Sequence, residues 1–156
     1  MDFVFDSIAV ALDRSEASAA ALEIAAKIAV AQHARVVLIN VLDLAKLVSA
    51  SGYQTPYPQE ALEALRSDGD ALFKSATASL EAKGIAVTTE FAEGDPCDEI
   101  IRIASDKKCG LIAIGTHGRS GITRMFLGSI AEGVLRRSSV PVLVTPTPGA
   151  HAHATR

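Results

Sequence analysis

Five short aliphatic runs, separated by longer amphipathic stretches, constrain this chain more than any other feature. The runs are "SIAVAL" (Ser7 to Leu12), "ARVVLINVL" (Ala34 to Leu42), "IAVTTEFA" (Ile85 to Ala92), "GLIAIG" (Gly110 to Gly115) and "VPVLVTP" (Val140 to Pro146). The first is almost wholly apolar, as a strand buried on both faces of a parallel sheet must be. The third alternates and is rich in β-branched residues, which suits an edge strand. Between them lie helical patterns. Ser15 reads as an N-cap for Glu16 to His33, with Ala17, Ala20, Ala21, Ile24, Ile28 and Ala31 on one face. Glu60 to Lys83 places Leu62, Leu65, Leu72, Ala76 and Leu80 inward, and Gly84 stands where a helix C′ glycine belongs. In "GDPCDEIIRIASDKK", Asp95 is an N-cap and Pro96 the first helical residue. Ser129 to Arg137 is the last helix. Strict alternation predicts an α/β fold: an open, mostly parallel five-stranded sheet with helices on both faces. One irregular piece interrupts it, Ser49 to Gln59, which reads either as a surface loop or as a lid.

A chain of 156 residues fits one domain, placed at 1–146. The remainder, 147–156, lacks apolar periodicity and is expected to be a disordered tail. Its His151 and His153 are two histidines in a polar tail, which does not amount to a metal site. Nearly half the residues are hydrophobic (49%) but only 4% are aromatic, so the core must be aliphatic. A formal charge of -3 argues against electrostatic grip on nucleic acid or on an anionic membrane. The N-terminus has no basic segment of a signal peptide, and no apolar run reaches the roughly 18 residues of a membrane helix. A cytoplasmic protein with reduced thiols is expected. Cys97 and Cys109 match no metal or redox spacing. Cys97, in the first turn of a helix, is the thiol whose pKa the helix dipole would lower.

The chemistry concentrates in Gly115 to Ser129, "GTHGRSGITRMFLGS". It follows the carboxyl end of the fourth strand, the edge at which sheets of this kind bind ligands. Gly115 and Gly118 allow positive φ and close backbone approach, and successive N–H groups in such a turn form an anion nest. Gly128 and Ser129 open a helix whose first N–H groups are unpaired. Arg119 and Arg124 read either as phosphate contacts or as solvated charges. His117 reads as a ligand contact or a surface residue. Ser129 with Glu132 forms a capping box, so it caps the helix, touches phosphate, or does both. Gly121 reads as a turn glycine, and Met125, Phe126 and Leu127 as core contacts holding the loop down. Neither the Walker pattern nor G-x-G-x-x-G is present. Asp13, ending the first strand at the same edge, either accepts hydrogen bonds from ribose or helps Ser15 start its helix.

Together these residues resemble the universal stress protein family, in its ATP-binding branch. That branch carries G-x2-G-x9-G-[ST] after the fourth strand, matched here by Gly115, Gly118, Gly128 and Ser129. The similarity runs from "IAVALD" through "GDPCDEII" and "GLIAIGTHGRSG" to "VPVLV". It implies a Rossmann-like, adenine nucleotide alpha hydrolase-like sheet of order 3-2-1-4-5, and a homodimer. It implies ATP as ligand, with Mg or Mn on the phosphates. By position it implies contacts from Ala11, Asp13, Val41, Gly115, His117, Gly118, Arg119, Gly128, Ser129 and Ile130. One departure is Arg14, where many relatives have glycine; it would either crowd the ribose or add a phosphate contact. Independently, the apolar last strand, Val140 to Val144, invites pairing with a second copy, and Pro141 is tolerated at an edge.

The expected function is a nucleotide-dependent regulator in a stress response, with little or slow hydrolysis. A slow ATPase and a non-nucleotide dimeric scaffold are the alternatives. No lysine or carboxylate in the glycine loop suits a turnover enzyme.

Overall fold

The computed structural model describes residues 4–50, 52, 58–117 and 127–148. Chain order is β1 (Ser7–Ala11), α1 (Glu16–Gln32), β2 (Arg35–Asp43), α2 (Leu44–Ala50), α3 (Gln59–Glu81), β3 (Val87–Gly94), α4 (Pro96–Asp106), β4 (Leu111–Gly115), α5 (Ser129–Arg137) and β5 (Val142–Thr145). The strands form one sheet in the order β3-β2-β1-β4-β5, and every pairing is parallel. Ile8 pairs in register with Val36 on one side and with Leu111 on the other.

Alternation along the strands splits the core in two. Ile8, Val10, Leu38, Leu111 and Ala113 meet α1 and α3 on one face. Ala9, Val37, Ile39, Ile112 and Ile114 meet α4 and α5 on the other. The chain winds outward from β1 to β3, returns to β4, and ends at β5. The winding therefore reverses between β1 and β4, and a crevice opens outside their carboxyl ends.

Local signals explain most of the elements. Ser15 caps α1, its Oγ accepting from Ser18 N at 3.1 Å. Asp95 Oδ1 accepts from Asp98 N at 2.9 Å, with Pro96 opening α4. Gly84 follows α3 with φ of 75°. Three expectations need correction. The buried face of α1 is Ala17, Ser18, Ala21, Ala25, Ala26 and Ala29, while Ile24 and Ala31 are exposed. Alanine occupies every side of this helix, so the apolar pattern does not set its phase, and the smallest face seats closest to the sheet. Next, α2 is an additional helix where the sequence assigns none; none of its residues is buried. Finally, the N-cap of α5 is Gly128, not Ser129, and no side chain caps it.

Cys97 departs from expectation as well. Burial pushes its thiol pKa up, and the nearby Arg137 guanidinium only partly opposes this. Arg137 Nη1 lies 3.6 Å from Cys97 Sγ and the same guanidinium pairs with Asp98. Cys109, beneath the sheet beside Ser7, is likewise raised by burial. Among the described residues, no helix is long and apolar enough to cross a membrane.

Candidate functional site

The crevice at the β1/β4 reversal opens into a cavity of about 860 Å³. Its inner wall is apolar: Ala11, Ile39 and Val41 from the sheet, Pro96 and Ile100 from α4, Ile130 and Ala131 from α5. A slot walled this way excludes water from both sides of a flat apolar group. Asp13 and Ser15 line the β1 side, and Thr116, His117, Gly128 and Ser129 the β4 side. Asp43, Lys46, Leu47 and Ala50, with Leu65 of α3, line the far end.

Among the described residues, α1, α2, α4 and α5 begin at this cavity; Asp43 caps α2, and α5 is the one of these four without a side-chain cap. Ser15 closes α1, and Asp95 closes α4. At α5, Glu132 N donates to Gly128 O at 2.9 Å as the first internal bond. Among the described residues, no group accepts from the N–H groups of Ser129, Ile130 or Ala131. Two of these residues, Ile130 and Ala131, also give the slot its apolar wall. Three unpaired donors at the positive end of a helix dipole favour an anion.

The loop leading to α5 is pinned at its base. Gly128 N donates to Thr116 O at 2.7 Å, and Thr116 N donates to Thr145 O at 2.8 Å. Thus the two ends of the segment between Thr116 and Gly128 meet at the cavity mouth. A Cβ on Gly128 would lie 2.7 Å from Thr116 O, so only glycine permits this closure. Gly115 is glycine for a different reason from the expected one. It lies in β4 and is not among the positive-φ glycines. A Cβ there would lie 2.7 Å from the Ala17 carbonyl carbon and 2.8 Å from Ser18 N. Gly115 therefore lets the start of α1 sit directly on β4.

His117 Nδ1 lies 3.1 Å from Thr116 Oγ1. Its Nε2 is buried and has no partner among the described residues, a state that favours an incoming acceptor or donor. Asp13 helps Ser15 start α1 and also stands at the cavity wall. Its Oδ1 accepts from Ser15 N at 2.8 Å, while the half-buried carboxylate lines the cavity. Arg14 takes neither of its expected roles: it turns outward to pair with Asp68 of α3 at 2.8 Å.

Eight of the residues singled out from sequence, Ala11, Asp13, Val41, Gly115, His117, Gly128, Ser129 and Ile130, line this one cavity. Gly118, Arg119, Gly121, Arg124, Met125 and Phe126 lie outside the described residues. Sequence reasoning missed Asp43, Lys46 and Leu47. Asp43 Oδ1 accepts from Lys46 N at 3.1 Å, so the signal was an N-cap at the head of "DLAKLV". It also missed Pro96 and Ile100, which present the start of α4 to the slot. Among the described residues, no group of three or more His, Cys, Asp or Glu side chains is placed to hold a metal.

Comparison with known proteins agrees with this architecture. The Universal stress protein family model matches residues 5–146. Universal stress protein MJ0531 of Methanocaldococcus jannaschii is 34% identical over 146 residues, covering 93% of this chain and 84% of its own. The solved structure of MJ0577, from the same organism, superposes with a TM-score of 0.81 at 26% identity, covering 92% of this chain and 97% of that one. A universal stress protein crystallised in complex with cAMP superposes with a TM-score of 0.68 at 25% identity, covering 93% and 99%. With the five-stranded 3-2-1-4-5 sheet and a family match across nearly its whole length, the chain belongs to the universal stress protein family.

Proposed function

We propose that this protein binds an adenine nucleotide, ATP with Mg or Mn on its phosphates, and acts as a nucleotide-dependent regulator rather than a turnover enzyme. The base lies in the apolar slot between Val41 and Ile100, and the ribose hydroxyls donate to Asp13. The phosphates meet the amides of Ser129 and Ile130, with His117 beside them. Gly118 and Arg119 extend the same phosphate site by their place in the motif. The bare N-terminus of α5, opening into a cavity with an apolar slot, carries this reading. The relative in complex with cAMP supports an adenine ligand at this level of similarity. The divalent ion arrives with the phosphates, since the described residues offer no ligand set of their own.

Calorimetric titration with MgATP and with adenosine tests the reading. Saturable MgATP binding, at least tenfold tighter than adenosine, is the expected result. Equal affinity would remove the phosphate site, and no binding of either would leave a scaffold. Nucleotide released by heat from purified protein is expected to be ATP; recovered ADP would point to hydrolysis.

The same reading includes a homodimer through Val140 to Val144. Among the described residues, β5 is a sheet edge paired with β4 alone. Pro141 is exposed, Val142 and Val144 are half-exposed, and Leu135 nearby in sequence is 49% exposed. A second copy would cover this apolar edge. Val142→Asp is expected to shift sedimentation from dimer to monomer with the circular dichroism spectrum unchanged. A monomeric wild type would contradict the dimer.

A further inference from the structure

Asn40 is the polar residue between the charged ends of β2, Arg35 and Asp43, and its contacts lead to the cavity. Its Nδ2 donates to Leu12 O at 2.8 Å. Leu12 N donates to Ile39 O at 2.8 Å, so Leu12 is held from both of its polar groups by the end of β2. The next residue is Asp13. Pairing of β1 ends at Val10 with β4 and at Ala11 with β2, and Leu12 N to Ile39 O is the last backbone bond between β1 and β2, which leaves the Leu12 carbonyl beyond the ladder. The Asn40 amide takes over where the ladder stops.

Asn40 is itself held from behind. Gly69 of α3 is buried, and a Cβ there would lie 2.9 Å from Asn40 Oδ1 and 3.1 Å from the Phe91 ring. The helix backbone therefore lies directly against the Asn40 side chain. One residue away, Asp68 pairs with Arg14, on the other side of Asp13 from Leu12. A single turn of α3 thus braces both neighbours of Asp13, one through Asn40 and one through Arg14. The exposed Arg14 pair contributes little by itself. The part-buried amide bond to Leu12 O is the stronger restraint, because losing its donor strands a carbonyl away from water.

We propose that Asn40 is a positioning residue for ribose recognition, fixing the Leu12–Asp13 peptide so that the Asp13 carboxylate faces the sugar hydroxyls. This rests on the reading of Asp13 as the ribose contact. Gly69 is part of the same device, since a side chain there would displace Asn40. Because the Gly69 turn packs on the face of the sheet opposite Ile100 and Ile130, the device also ties the sugar site to the far side of the sheet.

The test measures Kd for MgATP and for Mg-2′,3′-dideoxy-ATP, with thermal midpoints, in wild type and three variants. Asp13→Ala is the reference and is expected to reduce the preference for the ribose form about tenfold. Asn40→Asp keeps the shape but replaces the donor with an acceptor facing Leu12 O. It is expected to lose most of that preference while dideoxy-ATP affinity stays within about twofold of wild type. Gly69→Ala is expected to shift the preference in the same direction and serves if Asn40→Asp does not fold. A purely structural Asn40 would weaken both ligands alike and leave the ratio at the wild-type value. That result, alongside a lowered ratio in Asp13→Ala, overturns the proposal and leaves the Asp13 reading standing. An unchanged ratio in Asp13→Ala removes the ribose reading and the proposal with it.

Discussion

Gly128→Ala is expected to weaken MgATP binding about a hundredfold, equivalent to about 3 kcal/mol, while the protein still folds. The added methyl would sit 2.7 Å from Thr116 O, a backbone atom that cannot rotate aside. Relief requires the two ends of the loop to separate, which breaks the 2.7 Å bond from Gly128 N to Thr116 O. That movement turns the first N–H groups of α5 away from the cavity. The cost to stability is small, about 1 kcal/mol, because only one hydrogen bond at a loop base is lost. Titration calorimetry measures the first effect and thermal denaturation the second. An affinity within twofold of wild type would show that loop closure does not shape the anion site.

Gly115→Ala is expected to do the reverse and strike the fold first. Its methyl would meet Ala17 and Ser18 backbone atoms at 2.7 to 2.8 Å, at the seat of α1 on β4. Ala17 and Ser18 are both buried there, so α1 must lift from the sheet to make room. Overpacking of this kind costs about 3 kcal/mol. For a domain of this size the melting temperature should fall roughly 10 °C. Binding weakens as a consequence, since Ser15 and Asp13 move with the start of α1. A melting temperature within about 2 °C of wild type would contradict the packing account of this glycine. Two glycines of one motif thus have different work: Gly128 shapes the site and Gly115 allows the core beneath it.

That division was not legible in the sequence. A glycine in a strand-to-helix loop looks the same whether it serves a turn, a ligand or a helix from elsewhere in the chain, and Gly115 is constrained by residues about a hundred positions away. Elements governed by local chemistry were legible: the aliphatic strands, the Asp95–Pro96 start of α4, and the Ser15 cap. Alternation pointed to a parallel sheet, and its strand order was legible only through the family resemblance. Phase in α1 was hidden because alanine marks no side. The short helix α2 was hidden because it buries nothing, so it carries no apolar stripe, and Lys46 and Leu47 were missed with it. Asn40 was visible as a polar letter in "LINVL", but its partner Leu12 O is a backbone group, which no side-chain pattern announces.

Backbone amide shifts of isotope-labelled protein, recorded during titration with adenosine, AMP and MgATP, address the anion site itself. The Ser129 and Ile130 amides are expected to move downfield with AMP and further with MgATP, and to stay within about one linewidth with adenosine, as donors do when an oxyanion reaches them. Saturable MgATP binding that leaves both resonances in place would mean the phosphates lie elsewhere, and the bare end of α5 would lose its assigned role.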